Sequence, residues 1–156
     1  MKESNEAKSA PPAPPTVRIL RPVLSIAIAL GALAWAADLY RAAGLLFLPE
    51  QFLAATFGTG LALVFLHYPA RRGDVRGPLP WYDAALAAIG FAVGWYVAFD
   101  FEDISIRLFE APTKGLITAS IFFLLTVEGL RRTVGLPLVI ILLFFMGYAL
   151  VGHHMP

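Results

Sequence analysis

The sequence contains no cysteine and few charged residues, and each scarcity excludes a class of protein. Without cysteine, the chain cannot form disulfides, iron–sulfur clusters, thiol-based active sites or cysteine-ligated zinc sites. Charged residues make up 15% of the chain and apolar residues 58%, whereas a soluble domain carries about a quarter charged residues. The net charge of +1 gives no indication of a nucleic-acid partner, and none is expected.

The N-terminal segment is polar and then rich in proline, with four prolines between positions 11 and 15. Such a segment buries too little apolar surface to fold. We therefore predict a disordered, cytoplasmic tail over residues 1–17 and a transmembrane helical domain over residues 18–156.

Five apolar runs with few charges follow this tail. They extend from Pro22 to Ala37 (continuing through Asp38 and Arg41 to Leu48), Phe52 to Tyr68, Ala84 to Phe99, Gly115 to Leu130 and Leu136 to Val151. A helix needs about 20 apolar residues to cross the ~30 Å hydrocarbon core of a bilayer. In a chain of 156 residues, five such runs leave too little polar surface for a soluble bundle. The predicted fold is an all-α membrane protein, a bundle of about five transmembrane helices.

The fourth and fifth runs are the hardest pair to separate. Gly135 and Pro137 lie between them, and proline commonly stands at the first position of a new helix. One long kinked helix is the alternative, and two separate spans are the better interpretation.

The distribution of lysine and arginine predicts the orientation of the spans. If the N-terminus is inside, nine basic residues lie on the inner side and three on the outer side. The inner ones are Lys2, Lys8, Arg18, Arg21, Arg71, Arg72, Arg76, Arg131 and Arg132, and the outer ones are Arg41, Arg107 and Lys114. Short inner loops are enriched in basic residues, so the N-terminus is predicted to be cytoplasmic.

Charged residues within the runs lie near their ends, at helical spacing. Asp38 and Arg41 are three residues apart, and Glu128 precedes Arg131 and Arg132 by three and four residues. Residues at these spacings share a helix face and can form ion pairs. A proton or cation relay would need an acidic group nearer the bilayer centre, so we predict structural ion pairs.

Two further groups of residues are predicted to position the helices. Trp81, Tyr82 and Asp83 precede the third run, where aromatic rings suit the membrane interface and an acidic side chain complements the helix dipole. Small residues at four-residue spacing allow close helix packing. They are Ala54, Gly58 and Ala62 in the second run and Gly90 and Gly94 in the third.

No pattern for chemistry is present in the sequence. It offers no nucleophile–base pair, glycine-rich phosphate loop or metal-ligand spacing. We therefore predict no catalytic, substrate-binding or metal site, no cofactor and no enzymatic activity.

Four short motifs resemble a known family of membrane proteins. They are HYPARRG (67–73), LPWYD (79–83), EGLRRTVG (128–135) and the final GYALVGHHMP (147–156). Together they are similar to the small, DctQ-like membrane region of TRAP transporters, and most closely to the N-terminal segment of fused permeases in the TAXI branch. The resemblance covers about Arg18 to Pro156, and it fits either a separate small subunit or part of a fused permease.

This resemblance implies a role in the uptake of organic anions, such as carboxylates, across the bacterial inner membrane. In that family an extracytoplasmic binding protein delivers the substrate, and an ion gradient, usually of sodium, drives transport. The substrate and sodium sites belong to the large permease subunit, and the small subunit is a non-catalytic scaffold. A self-sufficient small membrane protein, such as a homo-oligomeric channel or an assembly factor, is the alternative function.

Overall fold

The secondary structure of the protein is helical throughout the part that the computed structural model describes, residues 15–68, 70, 80–107 and 112–152. The helices of this part are α1 (Pro15–Ala36), α2 (Leu39–Ala42), α3 (Pro49–His67), α4 (Trp81–Ile106), α5 (Pro112–Thr133) and α6 (Leu136–Gly152). The prediction of an all-α fold is confirmed. Of the tail predicted over residues 1–17, residues 1–14 lie outside the described part, and residues 15–17 belong to α1 instead of a disordered segment.

Proline and glycine mark several helix boundaries. Pro49 is the first residue of α3, where the side-chain oxygen of Gln51 accepts a hydrogen bond from the backbone N–H of Leu48 at 3.0 Å. Gly135 has a φ of 103° and separates α5 from α6, and Pro137 is the second residue of α6. Because glycine adopts positive φ without strain, it ends a helix readily. The predicted fourth and fifth runs are therefore two helices.

The first helix differs from the predicted first run at both ends. α1 begins at Pro15, continues through Pro22 and ends at Ala36. Asp38 then adopts a left-handed conformation with φ 54°, and the single turn of α2 follows it. After glycine, aspartate is among the residues that tolerate this left-handed conformation best. The sequence pattern predicted that Asp38 and Arg41 lie on a continuation of the first helix. In the structure they do not, because α1 ends at Ala36.

Four helices, α1, α3, α4 and α5, are long and apolar enough to cross a membrane. α6 is equally apolar but has 17 residues, at the lower limit of the ~17–25 residues that span a bilayer. Large apolar side chains are exposed on the outer faces of these helices, including Leu30, Phe99, Ile117 and Phe144. Such surfaces suit contact with lipid. The chain is thus a multi-pass helical membrane protein, and its described residues form four long candidate spans and one shorter apolar helix.

Neighbouring helices in the bundle pack side by side around α3. α3 and α4 form the most extensive contact, α1 packs on α3, and α5 packs on both α3 and α4. Within the described part of the chain, α6 packs on α5 alone. Buried side chains concentrate toward one end of the bundle, around Leu61, Phe65 and Leu66 of α3 and Leu125 of α5.

The two ends of the bundle have different side chains. We call one the arginine end, where α1 and α4 begin and α3 and α5 end; it carries Arg18, Arg21, Asp83, Glu128, Arg131 and Arg132. We call the other the aromatic end, where Trp35 stacks on Tyr40 and Phe52 with ring centroids 4.4 and 4.5 Å apart. The candidate functional features lie at the arginine end and at the middle of the bundle.

Candidate functional site

The middle of the bundle is closed by direct contact between the backbones of α3 and α4. Gly58 and Gly94 are both buried, each near the centre of its helix. A Cβ added to Gly58 would lie 2.6 Å from the Cα of Gly94, and one added to Gly94 would lie 2.5 Å from the Cα of Gly58. Only glycine allows helices to approach this closely.

The other predicted packing residues extend the same contact along the two helices. The carbonyl oxygen of Ala54 lies 2.9 Å from the position of a Cβ at Gly94. Gly90 faces Leu61, whose Cβ lies 3.3 Å from the corresponding position, and Ala62 beside it is buried. The structure therefore brings Ala54, Gly58, Ala62, Gly90 and Gly94 into one interface between α3 and α4.

A cluster of four charged side chains joins α4 to α5 at the arginine end. Its members are Asp83, Glu128, Arg131 and Arg132, and we call it the charge cluster. The Nη1 of Arg132 donates to Oδ1 of Asp83 at 2.6 Å, and its Nε donates to Oε1 of Glu128 at 2.8 Å. The side chains of Arg132 and Asp83 are only 3% and 0% exposed. Arg132 thus bridges an acidic group on its own helix and one on α4.

Arg131 completes the cluster on its exposed side. Its Nε and Nη2 donate to the two carboxylate oxygens of Glu128, each at 2.7 Å. This bidentate arrangement is the strongest geometry available to an arginine and a carboxylate. The cluster contains two acidic and two basic side chains, so its formal charge is zero.

The charge cluster also binds the end of α3 through backbone groups. Arg132 donates to the carbonyl oxygen of Tyr68 at 3.1 Å, and Asp83 accepts a hydrogen bond from the backbone N–H of Ala70 at 3.4 Å. The guanidinium of Arg132 lies over the ring of the fully buried Phe65, 5.0 Å from its centroid. Three helices, α3, α4 and α5, therefore meet at one arginine.

Sequence reasoning placed Asp83 differently. It predicted an interface residue beside Trp81 and Tyr82, whereas Asp83 is fully buried because α5 covers it with Arg132. Trp81 is 81% exposed and its ring meets that of Tyr82 edge to face, 6.2 Å between centroids. These two aromatic positions suit the membrane interface.

One signal in the sequence pointed to this meeting of helices. The motif HYPARRG lies at the end of the second apolar run, LPWYD at the start of the third and EGLRRTVG at the end of the fourth. Consecutive spans alternate in direction, so all three motifs fall at the same end of the bundle. The aspartate of LPWYD and the two arginines of EGLRRTVG then suggest an ion pair between helices.

At the aromatic end the predicted ion pair is loose. The Nε of Arg41 lies 3.9 Å from Oδ1 of Asp38, and the two side chains are 70% and 63% exposed. Sequence reasoning missed the stacked rings of Trp35, Tyr40 and Phe52 here, because residues from three separate helices, α1, α2 and α3, form the stack.

The described residues contain no group of three or more histidine, aspartate or glutamate side chains placed to hold a metal ion. Comparisons with protein-family models, with curated proteins and with solved structures find no match to this chain. The described helices α3 and α4 are thus in close contact at their centres, and at the arginine end a charge cluster of zero formal charge, buried at Asp83 and Arg132, holds α4 to α5.

Proposed function

We propose that the chain is a non-catalytic small membrane subunit, a scaffold, of a TRAP-type secondary transporter. Its partners would be a large permease subunit and, through the assembled complex, an extracytoplasmic binding protein that delivers organic anions such as carboxylates. A sodium gradient would drive uptake across the bacterial inner membrane. The observation that carries the scaffold role is the closed contact between Gly58 and Gly94 at the middle of the bundle.

The positions of the helix breaks support this role. Secondary transporters bind substrate and ion near the membrane midplane, where interrupted helices expose backbone groups. Here α3 and α4 are continuous through their centres. The breaks at Asp38 and Gly135 lie instead at the aromatic end and at the arginine end. Neither break is placed to coordinate a substrate inside the bundle.

The positions of the charged side chains give a second argument. Asp83 is the third residue of α4, and Glu128, Arg131 and Arg132 belong to the last six residues of α5. Ion-coupled transport needs acidic or polar groups deep in the membrane. The charge cluster holds the helices together at one end of the bundle, as expected of a rigid scaffold.

The outer surface offers room for a large helical partner. α6 packs on α5 alone within the described part of the chain, and its exposed side chains include Ile140, Ile141, Phe144 and Phe145. These side chains can contact either lipid or the helices of a permease. The resemblance of the sequence motifs to the small TRAP region supports the permease as the partner.

Reconstitution tests the scaffold role directly. Liposomes holding this chain alone should take up no radiolabelled carboxylate from a panel of organic anions under an inward sodium gradient. Liposomes holding the large permease with the binding protein should gain uptake when this chain is added, and the two membrane proteins should co-purify. Sodium-dependent uptake by the chain alone would overturn the scaffold role. Ion conductance by the chain alone in a planar bilayer would favour the homo-oligomeric channel instead.

Orientation has its own test, because the chain contains no cysteine that would interfere. Single cysteines at His67 and Glu102 would sit on exposed residues near opposite ends of the bundle. With the N-terminus cytoplasmic, an impermeant thiol reagent on intact cells should label the Glu102→Cys variant and spare the His67→Cys variant. The reverse pattern would invert the orientation.

A further inference from the structure

A groove runs between α1 and α4, with α3 as its floor. Within the described part of the chain, α1 packs on α3 but has no packing contact with α4. Three cavities of about 360, 360 and 250 Å³ follow one another along this groove, and neighbouring cavities share lining residues. Leu24 and Phe91 are common to the first two, and Gly31 and Trp95 are common to the second and third.

The lining of the groove is almost entirely apolar. On α4 it includes the small residues Ala84, Ala87 and Ala88 toward the arginine end, and it reaches Trp95 and Phe99 toward the aromatic end. The groove therefore extends along most of the length of α4. Water would gain few hydrogen bonds there, so a hydrocarbon chain is the better occupant.

The size of the groove distinguishes between two apolar occupants, an α-helix of a partner protein and the acyl chain of a lipid. An α-helix with its side chains is about 10 Å across, and cavities of 250–360 Å³ are too small to admit one. A flexible acyl chain is narrower and can follow three connected cavities. The geometry favours a lipid over the helix of a partner protein.

Arg21 lies at the arginine end of this groove. It stands next to Leu20, which lines the first cavity, and its Nη2 donates to the carbonyl oxygen of Leu66, another lining residue. The Nε of Arg21 is buried and has no hydrogen-bond partner among the described residues. A charged donor left without a partner is unfavourable, so a ligand oxygen that rearranges this guanidinium would stabilise it.

The charge balance at this end matches an anionic ligand. Asp83 and Glu128 are already paired with Arg131 and Arg132 in the neutral charge cluster. Arg18 and Arg21 on α1 then leave the described part of the arginine end with two further positive charges. Juxtamembrane arginines attract the negatively charged lipids of the cytoplasmic leaflet.

We propose that this groove binds one anionic phospholipid. Its phosphate contacts the guanidinium of Arg21, and one acyl chain follows the groove past Ala88 and Phe91 toward Trp95. The lipid takes the place of a direct contact between α1 and α4, and thereby fastens α1 to the rest of the bundle.

Native mass spectrometry of the full chain in detergent tests this proposal with two lipids of identical acyl chains. Phosphatidylglycerol should be retained more strongly than phosphatidylcholine. Arg21→Gln should lower the affinity for phosphatidylglycerol about fivefold, because it removes the guanidinium that contacts the lipid phosphate. Arg18→Gln is the matched control, because it removes the same charge from an exposed site on the same helix. It should change the affinity less than about twofold.

A second pair of variants tests the acyl chain without altering any charge. Ala88→Phe fills the first cavity and should reduce retention of both lipids, whereas Ala92→Phe adds the same group at an exposed position of α4 outside the groove. An equal loss of affinity for phosphatidylglycerol in Arg21→Gln and Arg18→Gln would show that diffuse electrostatic attraction, and not a site at Arg21, retains the lipid. Unchanged retention in Ala88→Phe would remove the groove from the proposal. If Arg21→Gln unfolds, Arg21→Lys and the alanine pair still decide the outcome.

Discussion

The aspartate–arginine pair Asp83–Arg132 at the arginine end differs from the pair Asp38–Arg41 at the aromatic end in what it connects. At the arginine end, Arg132 reaches across from α5 to Asp83 on α4 at 2.6 Å, and both side chains are buried. At the aromatic end, Arg41 lies 3.9 Å from Asp38 within a single turn, and both side chains are exposed. The same two residue types therefore serve different roles according to burial and to the helices that they join.

The aromatic end is held by apolar contact instead. Trp35 of α1 stacks between Tyr40 and Phe52, so rings from consecutive segments fasten the start of α3 to the end of α1. Stacked pairs add about 0.5–1.5 kcal/mol each beyond the area that they bury. The bundle thus has a polar fastening at one end and an aromatic one at the other.

The strongest way to break this contrast is to remove Arg132. Arg132→Gln leaves Asp83 buried without its cation, and we expect the free energy of unfolding to fall by about 3–5 kcal/mol. The neighbouring change Arg131→Gln should lower it by no more than about 1 kcal/mol, because Arg131 is 44% exposed and contacts only its own helix. Unfolding in mixed detergent micelles, followed by far-ultraviolet circular dichroism, measures both values. Equal losses would show that burial does not distinguish the two arginines.

The contact at the middle of the bundle should come next in size. Gly94→Ala places a Cβ 2.5 Å from the Cα of Gly58, so α3 and α4 must move apart. We expect a loss of about 1–3 kcal/mol in the same unfolding measurement. Gly60→Ala is the control, since nothing lies within 4 Å of the added atom, and it should cause no loss of stability because alanine favours a helix interior more than glycine does. A neutral Gly94→Ala would mean that the two backbones are not in contact.

Glu128 sharpens the comparison within the charge cluster itself. Glu128→Gln weakens three hydrogen bonds from Arg131 and Arg132 but keeps a polar side chain of the same shape. We expect a loss of about 1 kcal/mol. If the chain is a transporter subunit as proposed, less complex should form while the transport rate per complex stays nearly unchanged. Normal assembly with abolished ion coupling would instead give Glu128 a role in transport.

The smallest effect is expected at Asp38. Asp38→Asn removes the charge that faces Arg41 but keeps a side chain that tolerates the φ of 54°, so stability should change by less than about 0.5 kcal/mol. Asp38→Ala should lose about 1 kcal/mol, because alanine is strained in the left-handed region. Thermal unfolding of the two variants separates conformation from charge. Equal losses in Asp38→Asn and Asp38→Ala would make the ion pair, and not the conformation, the important feature.

The helical class and most helix boundaries could be predicted because they depend on local properties. Long charge-free runs predict helices in a bilayer, and Gly135 with Pro137 predicts the division between α5 and α6. The small residues around Gly58 and Gly94 likewise indicated close helix packing, whether within the chain or with another subunit, but not that α3 and α4 meet. Each of these signals lies within about twenty residues of sequence.

The pairing of Asp83 with Arg132 could not be predicted in the same way. The two residues are 49 positions apart, and their contact depends on the rotation and depth of α4 against α5. Local spacing favoured Glu128 as the partner of Arg132, which is also observed, but it carried no information on a second acceptor. The break at Asp38 was missed because an aspartate within an apolar run, without glycine or proline beside it, gives only a weak signal for a left-handed residue.

The sequence separation between Asp83 and Arg132 has a consequence for the synthesis and membrane insertion of the protein. A ribosome adds about 5–20 residues per second, so α4 leaves it roughly 2–10 s before the arginine that will neutralise Asp83, 49 residues later. During that interval the carboxylate must be tolerated without its partner. Its place in the first turn of α4 keeps it beside the headgroups and water while α5 is still being made. The final helix pair can then close over an aspartate that never had to enter the hydrocarbon alone.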